Sequence, residues 1–173
     1  MNAPRPHLVR AAAALLLAVL LSGCGFKLRG TGDSYTMPFH SIYLGFPDTS
    51  PLGTELKRNL RAGDGIVIAD KPEQAEAQFD VVSESRGKSI QSLNSLGRVR
   101  EYLLTYTLVF KVRDAKGAQL LAPTAITLRR NLVFDEQQVL AKESEEALLY
   151  RDMQSDLVQQ IMRRLAAIKP PKA

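Results

Sequence analysis

From Tyr102 to Arg113 the chain alternates without a break, and this stretch constrains the fold more than any other. Tyr102, Leu104, Tyr106, Leu108, Phe110 and Val112 fall on one side of an extended strand. Leu103, Thr105, Thr107, Val109, Lys111 and Arg113 fall on the other. Successive side chains of a strand point to opposite faces, so six apolar positions in register define a core face, and the mixed face meets water or a polar partner. Asp114-Ala115-Lys116-Gly117 predicts a turn. A partner strand follows, with Ile126, Leu128, Leu132 and Phe134 on its apolar face and Arg130 interrupting it. A charge there requires a strand-end position or a counter-charge.

The core face needs a cover, and two amphipathic helices supply it. Ser50-Pro51 reads as a helix start, a hydroxyl cap followed by proline at the first helical position. Leu52, Leu56 and Leu60 then form an apolar stripe, and Gly63 predicts a left-handed stop. The second helix is predicted from a Ser144 cap to about Ile168, after a loop over 135–142. Its stripe is Leu149/Tyr150, Met153, Leu157, Ile161, Leu165 and Ile168, with acids at its start and bases at its end, as the helix dipole favours. Residues 40–46 alternate as a short strand, and Phe79 to Lys88 begins as a strand before turning polar. The expected fold is α+β: a two-layer sandwich with both helices on one face of a mainly antiparallel sheet of about four strands.

The N-terminus carries a different message. Arg5 and Arg10 precede an apolar run from Ala11 to Leu21, and small residues lead to Cys24. This is the three-part layout of a secretory signal peptide. The run is about half the ~20 residues a membrane-spanning helix requires. Leu21-Ser22-Gly23-Cys24 resembles the bacterial lipobox, in which the cysteine is acylated and the chain is cut before it. Two or more acyl chains make a stable anchor, at ~0.8 kcal/mol per buried methylene. Cys24 is the single cysteine, so lipid attachment leaves no thiol for a disulfide. Gly25, rather than aspartate, follows it, and by resemblance to proteobacterial lipoproteins this directs the anchor to the outer membrane, on its periplasmic side. The expected organisation is a removed signal peptide over 1–23, an acylated cysteine and tether over 24–37, one α+β domain over 38–168 and a tail over 169–173. Removal of 1–23 takes two bases and no acid, so the formal charge falls from +5 to +3. So small an excess suits anionic lipid or an acidic partner, and is too diffuse for nucleic acid.

Catalytic chemistry is poorly served. His40 is the one histidine after the signal peptide, and no thiol remains, so neither a nucleophile–histidine set nor a zinc pattern can be assembled without it. His40 itself reads as a strand-end surface residue. Gly87-Lys88-Ser89 mimics the end of a phosphate-binding loop, but the required earlier glycine is Val82. Glu145 and Glu146 are explained by the helix start. The expectation is a protein that is not an enzyme and uses no cofactor or metal. What remains is two groups of bases on connecting segments: Arg86, Lys88, Arg98 and Arg100 around one tip, and Lys142 before the last helix. They are either plainly solvated or, beside Ile90, Leu93, Leu96, Val139 and Leu140, suited to an amphiphile with headgroup phosphates.

Cys24-Gly25-Phe26-Lys27-Leu28-Arg29 resembles the CGxxLR opening of the LPS-assembly lipoprotein family, the LptE type. The similarity continues through Pro51-Leu52, Glu101-Tyr102, Arg130 with Phe134-Asp135, and Leu140-Ala141-Lys142, in order along nearly the whole mature chain. The resemblance implies a sheet with two helices that sits as a plug inside the outer-membrane LPS-assembly β-barrel (LptD type), helps assemble it and binds lipopolysaccharide. The alternative is a free lipid-binding or scaffolding envelope lipoprotein. By the resemblance Lys142 matches the family's lysine before the last helix. The family's loop arginine falls at Ser95 and does not transfer; Arg98 and Arg100 lie near enough to take its place.

Overall fold

The computed structural model describes residues 36–63 and 65–169, all within one compact unit, Ser34–Ala173. The expected signal peptide, Cys24 and the expected tether up to residue 35 lie outside the described residues. Five strands form one sheet in the order β2-β1-β3-β4-β5. They are β1 (Ser41–Gly45), β2 (Val67–Ala69), β3 (Ala77–Leu93), β4 (Val99–Asp114) and β5 (Gln119–Val133). Among the described residues two α-helices, α1 (Pro51–Ala62) and α2 (Val139–Ala166), complete the fold, which is α+β.

The predicted strand is β4, the centre of the molecule. Leu104, Tyr106, Leu108, Phe110 and Val112 are fully buried, and Tyr102 is half-buried at the end of the same row. Both helices pack on this one face. Leu52, Leu56 and Leu60 of α1 and Met153, Leu157, Ile161 and Leu165 of α2 join the same hydrophobic core. Phe46, Phe79 and Phe110 stack in sequence at 5.4 and 4.7 Å between ring centroids, which ties the small parallel side of the sheet to the large hairpins. Arg130, the charge on the apolar face of β5, meets its counter-charge on α2, Asp156.

Five expectations need correction. The sheet has five strands, because Val67–Ala69 pairs in parallel with β1, whose other neighbour, β3, is parallel too. Only β3, β4 and β5 are antiparallel. A three-residue apolar run has too little periodicity to be read as a strand; the β1–α1–β2 crossover places it. Next, β3 does not stop at Lys88. It continues to Leu93 and closes a tight turn at Asn94–Gly97, with Gly97 at φ 75°. Its outward side chains are polar because they sit at an edge: β1 pairs only as far as Asp80. Third, α2 begins at Val139, and Ser144 is inside it, its hydroxyl turned back to the Leu140 carbonyl at 3.1 Å. Finally, α1 ends at Gly63 in extended backbone, and the left-handed residue is Gly65. Met37, assigned to the tether, packs against the core.

Candidate lipid-contacting site at the distal end

Because β3 and β4 outrun β1, their far half is covered, among the described residues, by the first half of α2. The hairpin tip is built by Asn94, whose side-chain oxygen accepts from the amides of Leu96 (2.9 Å) and Arg98 (3.0 Å). That closed turn leaves Leu96 77 % exposed. Leu140, at the start of α2, is 80 % exposed, and Ile90, Leu93 and Val139 are exposed beside them. An ion pair joins the two segments, Arg98 Nη1 to Glu136 Oε2 at 2.9 Å, so the tip and the α2 start form one end of the molecule. Scattered apolar residues on a surface need no explanation, but five large ones gathered at one end do.

The three predicted bases reach this end in different states. Arg98 is held by Glu136. Lys142 is in the first turn of α2, rather than in a loop as expected, because the helix starts five residues before the predicted cap. There its side chain is 19 % exposed, and its ammonium bonds Glu145 Oε2 at 2.8 Å. Arg100 has no hydrogen-bond or ion-pair partner for its guanidinium among the described residues. Its carbonyl accepts from Phe134 N at 2.9 Å, which carries the β4–β5 pairing one step past β5, and Phe134 lies edge-on to Tyr102 at 5.3 Å. Of the three bases, Arg100 is the one with its full charge unspent. Lys88 is nearby, 2.6 Å from Glu146 and 4.3 Å from the centre of the Tyr102 ring.

Below this end lies a polar seam that period-2 reading did not reveal. Arg86 donates to the Tyr106 hydroxyl (3.1 Å) and to Gln154 Oε1 (3.2 Å), and stacks over the rings of Tyr106 and Tyr150. The Tyr106 hydroxyl donates to Glu84 Oε1 at 2.5 Å. Gln154 Nε2 and Ser155 Oγ both donate to Glu55 of α1, each at 2.7 Å. The seam therefore connects β3, β4, α1 and α2. Burial, and then the Glu84 carboxylate, push the Tyr106 phenol up to about 12. Tyr150 is raised by burial and next by Glu146, and its hydroxyl donates to the Gly87 carbonyl at 2.7 Å. A usable signal was the alternation Glu84-x-Arg86-x-Lys88: register pairing puts Arg86 opposite Tyr106 on the helix-covered side.

His40 is exposed just before β1, its amide donating to Glu76 at 2.8 Å. A cleft of about 200 Å³ lies well away from the distal end, between the ends of β1 and β2 and the start of α1, and includes Tyr43, Phe46, Asp48, Lys57 and Asp70. No group of three or more potential metal ligands occurs among the described residues, nor any helix long and apolar enough to cross a membrane.

Comparison with known proteins agrees with this architecture. A lipoprotein B of Nitrosomonas europaea, solved by NMR and described as uncharacterized, is 40% identical, with a TM-score of 0.70 over 83% of this chain and 91% of that one. The rare lipoprotein B of Shewanella oneidensis is 26% identical, with a TM-score of 0.65 over 73% and 94%. In sequence, the LPS-assembly lipoprotein LptE of Pectobacterium atrosepticum is 29% identical over 88% of this chain and 82% of its own length. The LptE lipopolysaccharide-assembly family profile matches residues 39–165, which takes in all five strands and nearly all of α2. The chain belongs to the LptE family of lipopolysaccharide-assembly lipoproteins.

Proposed function

We propose that this lipoprotein, anchored through Cys24 to the periplasmic side of the outer membrane, plugs the LPS-assembly β-barrel of the LptD type and helps it assemble. In this reading it contacts lipopolysaccharide in transit through its distal end and acts by binding, without catalysis. The observation that carries the reading is the distal end itself: exposed Leu93, Leu96 and Leu140 beside Arg98, Arg100 and Lys142. An amphiphile with phosphates on its headgroup needs that pairing of apolar surface and guanidinium. Arg98 and Lys142 already hold carboxylates, so phosphate must displace Glu136 and Glu145 to reach them. Arg100 meets no such competition, and Arg100→Glu is expected to be the most damaging single change.

Losing one charge-assisted bond to phosphate, at ~1.5–3 kcal/mol, weakens binding roughly ten- to a hundred-fold. The test is a direct lipopolysaccharide-binding measurement on the wild type and on the triple variant Arg98→Glu, Arg100→Glu, Lys142→Asp, with a salt titration. The wild-type affinity should fall as salt rises. The triple variant should stay folded and still co-purify with a large β-barrel in mild detergent, because a plug is held over a wide surface, yet lose lipopolysaccharide. Full-strength binding by the triple variant would return these bases to an ordinary solvated role. Failure of the wild type to co-purify with a barrel would favour the free envelope lipoprotein.

A further inference from the structure

Charge is sorted along the helix layer. α1 returns the chain so that β2 can run parallel to β1, so α1 runs antiparallel to β1. α2 meets β5 at Arg130–Asp156 and then, further along, at Arg164–Ala125, so it descends as β5 rises. Since β1, β3 and β5 point the same way, both helices end where β1 begins. In α1 no acid follows Glu55, while Lys57, Arg58 and Arg61 do; in α2 no acid follows Asp156, while Arg163, Arg164 and then Lys169 do. Up to Asp156, α2 is the reverse, with Glu143, Glu145, Glu146, Asp152 and Asp156 against Lys142 and Arg151.

At this proximal end Arg58, Arg61, Arg163 and Lys169 are exposed, and none has a side-chain partner among the described residues. The carbonyl ends of two parallel helices add partial negative charge that holds these cations in place. Other elements contribute three acids here: Glu76 accepts from the His40 amide, Asp114 accepts from the amides of Lys116 and Ala118 in its turn, and Glu73 follows Lys71 by two residues. Asp64 lies outside the described residues.

The chain enters the domain at this same end. Thr36 precedes β1, and 11 residues separate it from Cys24. Even fully extended, they reach about 40 Å. We infer that the proximal end, through Arg58, Arg61, Arg163 and Lys169, docks on anionic phospholipid headgroups of the leaflet that holds the anchor. Before the domain enters the barrel, the basic end thereby acts as a second membrane signal and orients the domain with its distal end away from that leaflet. A short tether keeps the surface at high local concentration, so each base needs to contribute little. A base near an anionic surface strengthens attachment roughly fivefold. The inference rests on Cys24 as the lipid anchor and is independent of the barrel and of lipopolysaccharide.

The test uses the acylated protein reconstituted in vesicles of phosphatidylcholine alone or mixed with phosphatidylglycerol, with a headgroup nitroxide lipid as quencher. A fluorophore on Ala167→Cys reports the proximal end; one on Leu96→Cys reports the distal end. Phosphatidylglycerol should increase quenching at 167 severalfold and leave 96 unchanged. High salt should abolish the difference, as should Arg58→Glu, Arg61→Glu and Arg163→Glu combined, or the same three changed to Gln should folding suffer. Quenching at 167 that ignores phosphatidylglycerol and salt would overturn the inference and leave these bases to an acidic protein partner. Equal responses at 96 and 167 would overturn it as well, as undirected adsorption. Protein that does not associate with neutral vesicles but binds anionic ones through residue 167 would show that the anchor reading has failed while the basic surface stands.

Discussion

Single residues decide how closely elements approach, and Gly53 is the clearest case. It lies in the first turn of α1, buried, where its amide donates to the capping Ser50 hydroxyl at 3.1 Å. A Cβ added there would lie 2.7 Å from Cβ and 2.8 Å from Cγ of Phe46, the ring that begins the aromatic stack. By propensity Gly→Ala in a helix gains up to ~1 kcal/mol, whereas forcing atoms into a packed site costs ~1–3 kcal/mol. Both atoms in the way are the near end of Phe46 rather than a flexible tip, so packing wins. Gly53→Ala is expected to destabilise by about 1–2 kcal/mol. Chemical denaturation would show this as a lower midpoint with an unchanged slope; a stabilised variant would show that Phe46 moves freely.

At the scale of elements, β4 is asymmetric, and the two sides predict different outcomes. Phe110 is fully buried and stacked on Phe79, while Thr107 on the opposite face is only hydrogen-bonded to Thr127, hydroxyl to hydroxyl at 3.1 Å. Phe110→Ala removes a ring from the centre of the core at ~3–5 kcal/mol. A typical domain has ~5–15 kcal/mol to lose, so its melting temperature should drop steeply. Thr107→Ala should cost ~0.5 kcal/mol or less, as surface changes do. Comparable shifts in thermal melts of the two variants would mean that the faces are exchanged. The alternation that identifies β4 was legible because one face is wholly apolar. The outer half of β3 was not, since there β3 pairs with β4 alone and its helix-covered side carries Glu84, Arg86 and Lys88 in place of an apolar row.

For the whole molecule, the proposed anchor and the fold separate along the chain. The buried core extends from Phe39 to Ile168, downstream of Cys24 by more than a dozen residues. A chain lacking residues 1–24 is therefore expected to melt at the same temperature as the acylated protein, by circular dichroism, and to lose only its membrane attachment. An unfolded product would show that the segment after Cys24 is part of the core. The charge layout belongs to this scale too. Bases that look scattered in the sequence gather at two ends, one near the chain entry and one at the hairpin tip, only after both helices fold back antiparallel to β1.

What the sequence determined by itself is whatever depends on periodicity and local chemistry. The α+β class, the core face of β4, the stripes of both helices and the need of Arg130 for a counter-charge all follow from residues close in sequence. The family resemblance drew on motif order in the same way. The tertiary structure decided what depends on pairing between distant segments. It made Val67–Ala69 a strand by giving it β1 as a neighbour, and it moved Lys142 from a loop into a helix and onto Glu145. It left Arg100 without a side-chain partner among the described residues while Arg98 met Glu136, and it brought Arg86, Tyr106, Gln154 and Glu55 into one seam. A local pattern says which side of an element is apolar; it carries no information on which charge from another element arrives at the same place, because that requires the register and direction of every strand and helix at once.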